Sequence, residues 1–173
     1  MSPWGRTHGN LRDGFSFAST EFHRGSLVRP RNGQYEVVGD YEILEHTADI
    51  GVLARGESLA DVFESATRAL AEIAGIWRPG SGEKVAIEVE SEDLGSLLVD
   101  WLSEVIYLED RRGAAVTGIE MDRVEPGHAS GTLALVLLDS RPVEGVQIKA
   151  VTYHQLLVER DPSGWSARVF FDI

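Results

Sequence analysis

The chain has 173 residues, 43% hydrophobic and 25% charged, which fits one soluble globular domain. It contains no cysteine, so disulfides, zinc–thiolate sites, iron–sulfur clusters and thiol nucleophiles are excluded. A formal net charge of −12 argues against a broad face for bare nucleic acid, and no apolar run nears the roughly 18 residues of a membrane span.

Residues 1–40 hold six glycines and no apolar period, with five arginines against four acidic residues. They carry +1, so the remaining 133 residues carry −13. This segment reads as a flexible N-terminal extension, and its His8 and His23 as incidental. No apolar stretch there could serve as a secretory signal, so a cytoplasmic location is expected.

From Tyr41 the texture changes. Tyr41 to Leu44 and Ile50 to Ala54 read as short strands. Ser58 with Asp61 three residues on fits a helix start, and Leu59, Val62, Phe63, Ala66, Ala69, Leu70 and Ile73 follow at helical spacing before Gly75. Val85, Ile87 and Val89 alternate with polar residues as a half-buried strand does. A second helix spans Asp93 to about Arg112, with Leu97, Leu98, Trp101, Leu102 and Val105 as its apolar side and Gly113 as its stop. Asp100 and Glu104 share its wet face, with no nucleophile nearby to make them an acid/base pair. Four strands complete the chain: Val116–Val124, Thr132–Leu138, Ile148–Arg160 and Trp165–Ile173. A turn is expected around Arg141 to Gly145 and another at Asp161-Pro162-Ser163-Gly164. The order ββαβαββββ predicts an α+β domain over 41–173, with two helices packed on a mainly antiparallel mixed sheet.

Polar clusters interrupt these apolar strands at three places. They are His46-Thr47-Ala48-Asp49, Lys149-Ala150-Val151-Thr152-Tyr153-His154, and Asp172 followed by the carboxylate on Ile173. On the last strand Ser166, Arg168, Phe170 and Asp172 point one way, and Trp165, Ala167, Val169 and Phe171 the other. Asp49, Asp172 and the Ile173 carboxylate together would give an all-oxygen anionic site, suited to calcium, magnesium or manganese rather than zinc. The residues alone leave a plainer reading open. Asp49 would then cap a turn, Asp172 and Lys149 would be solvated, His46 and His154 would be hydrogen-bonded core residues, and Tyr153 a packed aromatic with a wet tip.

His46-Thr47-Ala48-Asp49-Ile50-Gly51, Leu97 to Glu104, Lys149 to His154 and the closing Phe171-Asp172-Ile173 together resemble the archease family, in order, over Tyr41 to Ile173. The first 40 residues have no counterpart in that pattern. The resemblance implies a non-enzymatic accessory protein of the RtcB-type RNA ligase, which joins RNA ends in tRNA splicing and repair. Such proteins promote the ligase–GMP intermediate, support multiple turnover and broaden nucleotide use. The resemblance also implies a metal site at Asp49 and Asp172, with Ile173 as a further ligand and calcium as the first-choice ion. Lys149 is implied to be functional, with His46 and His154 matching the motifs. No membrane contact and no direct nucleic-acid binding are expected. A free-standing metal-dependent hydrolase or nuclease, and a chaperone-like binding module, are the alternatives.

Overall fold

Strand pairing carries the architecture, with two helices laid between the layers. The structure, a computed structural model, describes residues 24–31, 34–45, 49–139 and 145–173. Its elements run β1 (Arg24–Arg31), β2 (Gln34–Glu45), β3 (Asp49–Gly56), α1 (Leu59–Ile73), β4 (Glu83–Glu90), α2 (Leu94–Arg112), β5 (Ala114–Glu125), β6 (His128–Leu137), β7 (Ala150–Asp161) and β8 (Gly164–Asp172). The α+β class and the two helices stand as the sequence predicts.

The strands divide between two sheets instead of sharing one. Five follow the order β1-β2-β3-β8-β7 and three the order β4-β6-β5. Every ladder is antiparallel, and parallel pairing among the described residues is confined to an isolated bridge between Trp77 and Val116. The reason lies in α1. Besides its apolar stripe it buries Ser65, Thr67 and Ala71, so it is covered on most sides. A helix enclosed that way needs a layer on each face. Both helices accordingly touch both sheets.

The helix ends form as their sequences dictate. Ser58 accepts the Asp61 N–H at 3.2 Å while Asp61 accepts the Ser58 N–H at 2.9 Å, a reciprocal capping box. Asp93 accepts the Ser96 N–H at 2.9 Å and starts α2; Gly113, at φ 60°, ends it in the left-handed region. That hydrogen bond holds the Asp93 carboxyl below its ordinary range. Between the helices, the buried Trp101 indole donates to Thr67 Oγ1 at 2.9 Å, and the Thr67 hydroxyl donates to the Phe63 carbonyl at 2.7 Å. Buried Glu64 accepts the Met121 N–H at 2.9 Å, beside the point where the β5–β6 register slips.

The extension expected over 1–40 needs correction for part of its length. Arg24–Arg31 and Gln34–Asp40 are strand in the five-stranded sheet. Gly25 pairs with Tyr41, and the Tyr41 ring fills the space where a Gly25 side chain would stand. The Tyr41 hydroxyl in turn donates to Glu72 on α1. Burial first, then the Glu72 carboxylate, push that hydroxyl above its ordinary range. Residues 1–23, with His8 and His23, and the turn expected at Arg141 to Glu144 lie outside the described residues.

Candidate functional site

The first residue of β3 and the last of β8 are cross-strand partners. Asp49 stands directly opposite Asp172, and Asp172 stands opposite Ala150 on its other side. Directly opposed residues share a face of the sheet. The same alternation sends Ile50, Val52, Val169 and Phe171 into the core and leaves Asp49 half-buried and Asp172 exposed on the outer face. Two residues 123 positions apart in sequence therefore form one carboxylate pair at the sheet end. Like charges so placed repel, which leaves the pair short of a cation.

Lys149 supplies a positive charge at that end. Its backbone N–H donates to the Asp172 carbonyl at 2.8 Å, continuing the β7–β8 ladder past Ala150. Its Nζ donates to the Ile173 main-chain oxygen at 2.7 Å. The Ile173 side chain packs against the core, which holds the last residue in place. Lys149 also lines a cavity of about 570 Å³ behind the sheet end, whose walls include Ile106, Glu109, Asp110 and Ile148.

Next along the outer face lies an aromatic platform. Gly51, Phe170 and Thr152 form the adjoining row. The Phe170 ring lies on Gly51, with Cε1 only 2.7 Å from where a Gly51 Cβ would be. Phe170 is 7% exposed although its face is the outer one. Its cover comes from β7. Between Thr152, paired with Phe170, and Leu157, paired with Arg168, four β7 residues oppose the single Val169. This wide bulge turns through Gln155 at φ 50° and lays the His154 ring edge-on to Phe170, centroids 5.7 Å apart. Arg168 Nε donates to the Gln155 carbonyl at 3.1 Å and ties the bulge to β8. Tyr153 projects from it, 61% exposed.

The structure thus brings Asp49, Asp172, Ile173 and Lys149 together, and sets His154 against the platform one row away. His46 lies outside the described residues. Sequence reasoning missed the seating of Phe170 on Gly51, although the alternation that puts Phe170 on the face of Asp172 was already visible. Thr152, one of the polar cluster, has its Oγ1 buried without a hydrogen-bond partner, which the sequence does not signal. Among the described residues no three His, Cys, Asp or Glu side chains cluster tightly enough to hold an ion. A cation here would need a main-chain oxygen beside the two carboxylates, and Ile173 offers one. Such a donor set is all oxygen and fits a hard divalent ion.

The family model that matches residues 41–173 is the Archease protein family. The chain belongs to the archease family. A protein archease of Methanosarcina mazei is 38% identical over 140 residues, covering 77% of this chain and 95% of that relative. One from Pyrococcus abyssi is 35% identical over 139 residues, covering 77% and 98%. Among solved structures, Methanobacterium thermoautotrophicum protein 1598 aligns with TM-score 0.62 at 28% identity, over 77% of this chain and 98% of that one. A Thermotoga maritima protein described as "an archease, possible chaperone" aligns with TM-score 0.54 at 31% identity, over 75% and 94%. The archease match starts at Tyr41, so β1 and the first half of β2 lie before it. No described helix is long and apolar enough to cross a membrane.

Proposed function

We propose that this archease is a non-enzymatic, cytoplasmic activator of an RtcB-type RNA ligase in tRNA splicing and RNA repair. In this reading it presents a divalent cation, calcium in the first place, on Asp49, Asp172 and the Ile173 oxygen. The observation that carries the reading is the direct pairing of Asp49 with Asp172 at a strand end, where two carboxylates have no structural reason to face each other. The bound ion supplies charge complementarity toward phosphate groups or carboxylates of the ligase during guanylylation. Lys149 adds a donor for the same groups. Activation requires that the archease bind the reactive ligase conformation better than the resting one. Direct binding of RNA is not part of this role, in keeping with the acidic chain.

The test is ligase guanylylation and multiple-turnover ligation with and without the archease. Asp49→Ala and Asp172→Ala each abolish stimulation while thermal unfolding stays cooperative. Full stimulation by both variants rejects the reading. A chaperone role, which the Thermotoga description favours, instead predicts protection of unrelated unfolding proteins, unaffected by either substitution.

A further inference from the structure

The Ile173 oxygen that would complete the cation site is already engaged by Lys149 Nζ at 2.7 Å. The geometry points to Lys149 as an internal stand-in cation that a divalent ion must displace, so that loading the site releases the lysine. This inference rests on the metal reading above and specifies how that site is controlled.

Three observations support the exchange. Asp49 and Asp172 face each other directly, so the folded sheet end calls for positive charge whether or not an ion is present. Lys149 is held beside them by its own backbone, since its N–H donates to the Asp172 carbonyl; losing the Nζ contact leaves the residue in place and moves only the side chain. The side chain also has somewhere to go. It lines the cavity behind the sheet end, whose wall carries Glu109 and Asp110 on the last turns of α2. An ammonium swung into that space stays in a cavity whose lining includes carboxylates, and the four-carbon lysine stem is flexible. An ammonium and a divalent ion cannot share one oxygen at contact distance without strong repulsion. Across the two oxygens of the Ile173 carboxylate the two cations compete through this repulsion, so binding of the ion favours release of the amine.

The experiment uses the full chain and calcium chloride. Calcium affinity is measured by titration calorimetry for the wild type, Lys149→Met, Lys149→Gln, Lys149→Arg and Asp172→Ala. In parallel, the lysine ammonium resonances are followed by NMR. Exchange predicts that Lys149→Met and Lys149→Gln bind calcium about three- to tenfold more tightly, the gain from removing one nearby charge at a hydrated site. Lys149→Arg stays within about twofold of the wild type. The protected Lys149 ammonium signal present without calcium disappears on saturation. Equal or weaker binding by both neutral variants overturns the exchange and makes Lys149 a brace for Ile173. If the wild type binds no more calcium than Asp172→Ala, the metal reading itself fails and this inference falls with it.

Discussion

Neutralising one member of the carboxylate pair should make the protein more stable and less useful at once. Cross-strand partners have Cβ atoms about 4.5–5.5 Å apart, and two unit charges at roughly that distance in near-aqueous surroundings repel by about 0.5–1 kcal/mol. Asp172→Asn keeps the shape and removes the repulsion with Asp49. For a chain of this size, 1 kcal/mol moves Tm by about 2–4 °C, so the variant in EDTA should melt about 1–4 °C above the wild type. Calcium reverses the ranking. At about 100 times its Kd a ligand stabilises the native state by about 2.7 kcal/mol, or about 5–10 °C here, and the variant should gain almost none of it. Calorimetry or circular dichroism melts of both proteins in EDTA and in calcium provide the four values needed. A variant less stable than wild type in EDTA would show that attraction to Lys149 outweighs the repulsion within the pair. A variant with the full calcium shift would place the ion elsewhere.

The platform and the caps make independent predictions. Gly51→Ala puts a methyl about 2.7 Å from Phe170 Cε1, so the ring must move; the overpacking should cost about 1–3 kcal/mol and change the Phe170 ring shifts seen by NMR. Ser58→Ala breaks the capping box of α1 and should lower stability by about 1 kcal/mol in urea unfolding, whereas Ser58→Asp should largely restore it. Asp93 is held below its ordinary range by the Ser96 N–H, so its contribution is complete above the unfolded carboxylate value of about 3.9 and fades as pH falls through the lower native value. Melts of wild type and Asp93→Ala should therefore differ at pH 7 and converge on acidification, while Asp93→Asn, which keeps a capping oxygen, should show little such pH dependence.

Helix positions were legible because their signals are local. Ser58, Asp61, Asp93 and Gly113 each act within one turn of chain, and all four occupy the roles that their spacing predicts. The strands were legible as elements but not as layers. Val85, Ile87 and Val89 alternate in the same way whichever sheet they join, and the choice is made by β6, which supplies their partners Leu133, Gly131 and Ala129 far along the chain. The N-terminal strands escaped because residues 24–40 carry no apolar period, and their pairing with Tyr41 and the rest of β2 and β3 is set by a register that no local pattern states. At the site, Asp49 and Asp172 stood out as polar interruptions. Their mutual pairing follows from a register that no local pattern states, and the four-for-one bulge at Tyr153 to Leu156 is hidden inside an ordinary-looking run of β residues.

That register is held by residues that do no chemistry. Side chains alternate along a strand, so a slip of one residue between β3 and β8 would break the facing of Asp49 and Asp172 and set Gly51 against Val169 or Phe171. The buried Val52, Ala54, Ala167, Val169 and Phe171 oppose the slip on the inner face. On the outer face a second lock works by shape: the Phe170 ring fits only where its partner has no side chain, and along β3 before Gly56 that place is Gly51 alone. The glycine two residues after Asp49 and the phenylalanine two residues before Asp172 thus fix the position of both carboxylates. A family motif that reads as a string of polar residues ending in glycine is, in physical terms, one carboxylate and the notch that aligns it with the other.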